Sequence, residues 1–213
     1  MLAIITIVTG IVLVSQNTFN RTLVLANAAY DVSLTLRSAE TYGLGSRGAG
    51  STANAGYGVD FSMGAPTALS FFADTVPAPG ASGACHALPS GGASAPNALP
   101  GNCRYDGLTS GELVQTYALG NGVHVSRFCA YSGLTSYCTS GGSRAIDTLD
   151  IVFARPNPTP TFSVSKSGVS LAVGGGTSSL YKSCVTLSSP QGDTRSVTTW
   201  WDGAIIESNG NCP

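Results

Sequence analysis

From Met1 to Val14 the chain reads MLAIITIVTGIVLV, and no charged residue occurs before Arg21. Whatever fold follows must find a place for this apolar front. As a helix the run spans about 21 Å, short of the roughly 30 Å hydrocarbon core of a bilayer. Three placements suit such a length: a cleaved signal peptide, a core helix inside its own body, or a membrane or filament-core helix whose first residues lie upstream. A signal peptide needs a basic start, which is absent, and a core helix normally keeps one polar face. The pattern favours the third placement. Ala3, Thr6 and Gly10 stand at i, i+3 and i+7 and form a face of small residues that lets helices approach closely. Ile4, Ile7, Val8, Ile11 and Val12 cover the other faces. Burying these, with Ile5 and Leu13, at roughly 1.5–3 kcal/mol each would dominate the energy of assembly.

The helix is expected to continue with a different character. Ser15 to Tyr42 contains neither Pro nor Gly, and Phe19, Leu23, Ala26, Tyr30 and Leu34 recur at helical spacing as one apolar stripe. Asn17, Asn20, Arg21, Asp31 and Arg37 lie largely off that stripe. One helix of about 40 residues, some 60 Å long, is therefore apolar over 1–14 and amphipathic over 15–44. Gly43 and Gly45 are expected to end it. The stripe is expected to lie on an antiparallel sheet formed by the rest of the chain. The fold-class expectation is α+β: a long, lollipop-like N-terminal helix (1–48) packed on a β-rich globular head (49–213) with disulfide-stapled loops.

Beyond residue 50 the sequence alternates short β-rich runs with turn signals. The runs are Tyr57–Phe61, Ala68–Ala73, Glu112–Leu119, Val123–Cys129, Leu149–Arg155, Thr161–Ser165, Tyr181–Ser188 and Arg195–Trp201. Asn121-Gly122 predicts a hairpin between the third and fourth of these, and Asp202-Gly203 folds Thr194–Trp201 back on Ala204–Glu207. Val123, Val125 and Arg127 alternate with His124, Ser126 and Phe128, which predicts one buried face. Of Trp200 and Trp201, one is expected in the core and the other exposed. Val76–Gly101 and Cys129–Arg144 look like surface insertions.

The six cysteines, at 85, 103, 129, 138, 184 and 212, form no C-x-x-C pair, which removes zinc-ribbon and thioredoxin readings. An even count in a glycine-rich chain with 10% charged residues points to disulfides and an oxidising compartment. Fifteen pairings exist, and sequence does not choose among them. The sequential one, Cys85–Cys103, Cys129–Cys138 and Cys184–Cys212, would close three loops at roughly 2–4 kcal/mol each.

Composition and motifs argue against several functions. The net charge is −1, only Lys166 and Lys182 are lysines, and no basic run exists, so the footprint of a nucleic-acid binder is missing. Gly43–Gly48 matches G-x-G-x-x-G, but it follows a helix and precedes strands, the reverse of a dinucleotide fold. His86 and His124 are the two histidines, and no G-x-S-x-G accompanies them. Asp147, Asp150, Asp193 and Asp202 lack the regular spacing of calcium ligands. No catalytic, metal or cofactor-binding residue is assigned, no cofactor is expected, and the chain is expected not to be an enzyme.

The stretch ITIVTGIVLVSQNTFNRTLVLANAAYDVSLTLRSAETYGLGSRG resembles the N-terminal segment of type IV pilins and type II secretion pseudopilins. Its Y-D-V-x-L-x-L-R-x-A-x-x-Y-G part is similar to H-type-like minor pseudopilins. The family's cleavage glycine and the following Phe-Thr-Leu-Ile-Glu are absent, and Met1 would align directly after that glutamate, as though the start were clipped. The resemblance implies a structural subunit of a pilus-like extracellular filament, assembled through Ala3, Ile4, Thr6, Ile7, Val8, Gly10, Ile11, Val12 and Leu13. It also implies copies of itself and other pilins as partners. Its expected location is the cytoplasmic membrane, as a single-pass protein, before assembly, and the cell surface afterwards. A pseudopilus minor subunit and a membrane-anchored adhesin or ligand-binding protein are the alternatives.

Overall fold

The computed structural model describes residues 2–45, 47–49, 55–76, 101–133, 135–140, 144–155, 157–175 and 179–212, apart from the side chains at 2, 6–8, 11–21, 157 and 158. One helix, α1 (Leu2–Leu44), precedes eleven strands. These are β1 (Gly56–Ser62), β2 (Ala68–Asp74), β3 (Leu113–Ala118), β4 (His124–Ser132), β5 (Ser136–Cys138), β6 (Thr148–Ala154), β7 (Asn157–Lys166), β8 (Val169–Gly174), β9 (Leu180–Ser188), β10 (Thr194–Trp200) and β11 (Ile205–Asn209). They form a six-stranded sheet in the order β3-β2-β1-β6-β7-β8 and a five-stranded sheet in the order β11-β10-β9-β4-β5. Neighbouring strands run antiparallel.

The expected α+β fold is corrected by this arrangement. Among the described residues the structure is mostly β, with 49% strand in two antiparallel sheets, not a long helix packed on one sheet. The reason lies in which surfaces meet. Val59, Phe61, Phe71, Leu149, Ile151, Phe153, Phe162 and Val164 from the larger sheet share one core with Val125, Phe128, Ala130, Val185, Leu187 and Val197 from the smaller. The sheets thus bury much of their apolar surface against each other. The helix enters as a wedge, against β1 and β6 on one side and β10 and β11 on the other.

That wedge uses Leu25, Ala28, Ala29, Val32, Leu36 and Ala39, all within 5% of full burial. The stripe expected to pack, Leu23–Tyr30–Leu34, points away from the body and is 44%, 60% and 51% exposed respectively. Small residues decide the choice: alanines at 28, 29 and 39 let the helix backbone sit between two sheets, where Tyr30 would not fit. Hydroxyl-bearing residues inside the helix bond back one turn, as in Thr35 Oγ1 to Asp31 O at 2.8 Å and Thr41 Oγ1 to Arg37 O at 2.9 Å. Gly43 does not end the helix but lies within it, buried against the Phe153 backbone of β6. Tyr42 packs edge-on against Tyr57 and Phe71, 5.5 Å between centroids in each case.

Three local expectations change as well. Asn121 and Gly122 take positive φ values of 50° and 73°, as a tight turn requires. However, β3 pairs with β2 and β4 pairs with β9 and β5, so the turn crosses between sheets and makes no hairpin. In β4 a register shift between Val125 and Arg127 inserts an extra residue, and the inward position passes to Phe128. Trp200 is not in the core: it lies beside Tyr181 and over the Lys182 ammonium, while Trp201 is exposed. Asp202-Gly203 does turn β10 back onto β11, with Arg195 opposite Asn209.

Among the described residues, no helix is long and apolar enough to cross a membrane. The expected single-pass location in the cytoplasmic membrane, with its later step to the cell surface, is corrected accordingly. The apolar run stops at Val14, and the next helical turns carry Ser15, Gln16, Asn17, Thr18, Asn20 and Arg21.

Candidate functional site

The residues expected to mediate assembly lie on the N-terminal half of α1. Ala3, Ile4 and Gly10 are exposed there, Ile4 to 67%, and a side chain added at Gly10 would meet nothing within 4 Å. The side chains of Thr6, Ile7, Val8, Ile11, Val12 and Leu13 lie outside the described ones. At 100° per residue, Ile5, Leu23, Tyr30 and Leu34 fall within about 20° of one line along the helix, over roughly 44 Å. All four are exposed, Ile5 to 61%. Arg37 ties the C-terminal half of this helix to the β10–β11 turn through the Gly203 carbonyl at 3.2 Å and pairs with Glu40 at 2.9 Å.

The disulfides hold the smaller sheet. Cys129–Cys138 joins β4 to β5, and Cys184–Cys212 pins the C-terminal tail to β9. Cys129 stands opposite both Cys138 and Cys184, so the two bridges are neighbours across the strands. Arg127 spans them, donating to the Cys212 carbonyl at 3.4 Å and lying 3.6 Å from Cys138 Sγ. Cys103 is also disulfide-bonded. Cys85, its expected partner, lies outside the described residues, as does His86.

A second constellation escaped the sequence reading. On the face of the larger sheet turned away from the shared core, Asp60 (β1) stands directly opposite Asp150 (β6), with Asp74 on β2 and Glu112 just before β3. All four are buried, with exposures of 7%, 2%, 0% and 0%. A strap, residues 102–106, lies over them and spends its backbone donors on their oxygens. Asp74 accepts from the Asn102 and Cys103 amides at 3.0 and 2.9 Å. Asp150 accepts from Tyr105 N at 3.1 Å, and Glu112 from Asp106 N at 2.9 Å. Glu112 also takes the Thr75 and Val76 amides, each at 3.0 Å. Under the strap, Cys103 and Tyr105 pack with Phe72 and Val152.

Burial is the main cause that raises the Asp60 carboxyl to about 7, its hydrogen bond to Asp150 opposing the rise. Burial also pushes Asp150 and Asp74 well above the ordinary carboxylate range, against the amides that donate to them. The available signal was an acid inside an apolar strand run, as in Leu149-Asp150-Ile151 and Val59-Asp60-Phe61, where alternation places it on the face opposite the core. Of the carboxylates weighed for calcium, Asp150 joins this cluster, Asp202 caps the β10–β11 turn at Ala204 N, and Asp147 accepts from Ser167 N. Among the described residues, no group of three His, Cys, Asp or Glu side chains could hold a metal ion.

Comparison with family models, curated proteins and solved structures finds no match. Chemistry must therefore be argued from the geometry alone. His124, the described histidine, faces the Gly122 carbonyl at 3.4 Å. A cleft of about 240 Å³ lined by Tyr137, Arg144, Ala145, Lys166 and Leu171 falls below the roughly 300–1,000 Å³ of ligand pockets.

Proposed function

We propose that this chain is a structural subunit of a pilin-like filament that assembles with copies of itself through α1, and that it is not an enzyme. The observation that carries the reading is the exposed set Leu23, Tyr30 and Leu34, with Ile5 in phase with them further along α1, on a helix whose opposite face is committed to the body from Leu25 to Ala39. Monomeric proteins seldom leave such an apolar line in water. Fully burying one large apolar side chain stabilises by roughly 1.5–3 kcal/mol, and these four are about half exposed, so a seam of them contributes roughly 3–6 kcal/mol to each contact. Where such a line meets a different surface of the next identical chain and the rotation does not close a ring, the contact extends into a helical filament. The disulfides suit a subunit that works in an oxidising compartment.

Electron microscopy of the purified, disulfide-intact chain tests this. Wild-type protein should form filaments, and Tyr30→Asp combined with Leu34→Asp should abolish them while leaving the melting temperature unchanged, because both side chains are outside the core. Filaments of normal length from the double variant would overturn the reading.

A further inference from the structure

We propose that the Asp60–Asp150 pair is a proton-operated latch that seats the 102–106 strap on the outer face of the larger sheet, closed in acid and open in alkali. The geometry requires a proton. Asp60 and Asp150 stand opposite each other, both buried, and two ionised carboxylates are acceptors only, so the pair can bond to each other only while one of them is protonated. The two residues are cross-strand partners, both buried, so the register holds both carboxyls on the same covered face. Removing the shared proton leaves two negative charges in contact with little water between them.

The groups around the pair relieve this only in part, through the Tyr105 amide and Arg104. Asp74 on β2 raises Asp150 further, and Glu112 before β3 and Asp106 on the strap raise Asp74 in turn. Arg104 is the one cation that acts on Asp150, and its Nη2 is drawn off to the Gly168 carbonyl at 3.0 Å. Ser163, on β7 directly opposite Asp150, is fully buried, and its hydroxyl has no hydrogen-bond partner. The Tyr105 hydroxyl and Arg104 Nε are likewise buried and unpartnered. Water entering an opened strap would satisfy all three, so part of the cost of opening is returned.

The strap is what gives way, because four of its five backbone amides end on this cluster. Tyr105 N sits on Asp150 itself, with the neighbouring amides on Asp74 and Glu112. Asp60, raised in the folded state to about 7, stabilises the seated strap fully below the ordinary carboxylate range. That contribution is lost as pH rises through about 7.

Hydrogen exchange of the Asn102–Asp106 amides in the full, disulfide-intact chain provides the test, with rates corrected for intrinsic base catalysis. One proton released per opening makes protection fall about tenfold per pH unit between the ordinary carboxylate range and about pH 7, and level off above it, where the seated state has already lost the proton. Asp60→Asn supplies an amide donor to Asp150 at every pH and should hold protection constant over that range. Flat protection in the wild type, or a loss in Asp60→Asn as steep as the wild type's, would overturn the latch. Should Asp60→Asn fail to fold, a carbon-13 titration of the wild-type carboxyls decides instead. A proton held by the pair up to about pH 7 supports the latch, and full ionisation of both by pH 5 refutes it.

Discussion

Replacing Gly43 by alanine isolates how α1 is seated. A Cβ built on Gly43 falls on the Phe153 carbonyl oxygen of β6, with the carbonyl carbon at 2.7 Å. The obstacle is backbone in the second strand of the β1–β6 pair, so no rotamer change relieves it. Overpacking of this kind costs about 3 kcal/mol, the upper end of the usual range. Alanine in a helix returns about 1 kcal/mol relative to glycine. The net loss of about 2 kcal/mol lowers the melting temperature by about 4–8 °C for a chain of this size. Gly10→Ala is the control: nothing lies within 4 Å of its added methyl, so only the helix-favouring contribution remains. Thermal unfolding followed by circular dichroism on the wild type and both variants reads the difference. A Gly43→Ala protein as stable as the wild type would show that the helix is not held in contact with β6.

Further outcomes follow from the same structure. Leu36→Ala, at a fully buried position, should cost about 2–5 kcal/mol in denaturant unfolding, whereas Leu34→Ala, 51% exposed, should change stability by less than about 0.5 kcal/mol. Reversed magnitudes would mean that the helix packs on its other face. The Cys184–Cys212 bridge closes a separation of 28 residues and Cys129–Cys138 one of 9. Chain entropy then gives about 3.6 and about 2.7 kcal/mol, so the paired alanine variant of the first should be the less stable by about 1 kcal/mol. Glu112→Gln, which keeps the shape but gives up acceptor capacity under three backbone amides, should cost about 1–3 kcal/mol and raise proteolysis near Asp106.

The sequence made some of this visible and concealed the rest for physical reasons. Strand positions were readable where β-branched and aromatic runs met turn residues, as at Ala68–Asp74 and Thr194–Trp200. Strands β5 and β8 were not, because Ser136–Cys138 is three residues long and Val169–Gly174 lies at a sheet edge with mixed exposure. Helical periodicity marked one apolar stripe on the amphipathic part of α1, and the larger side chains of Leu23, Tyr30 and Leu34 placed it on the face that stays in solvent. The face that packs is built from alanines, whose value appears only once two sheets close around them. Sheet pairing was likewise hidden: Asn121-Gly122 specifies a turn, but not which sheet its second arm joins. The buried carboxylates were overlooked because an acid in a strand ordinarily faces water, and the strap that covers them is distant in sequence from β1 and β6.

The central claim is that the outward face of α1 is a contact between copies, and a photo-cross-linker installed at Tyr30 examines it directly. Tyr30 is 60% exposed, so benzoylphenylalanine fits there without disturbing the core. Irradiation of assembled protein should yield covalent dimers and higher adducts joined through that position, with few from the same probe at Leu187 on the buried face of β9. Filaments that form normally but give no chain-to-chain adduct from position 30 would contradict the account.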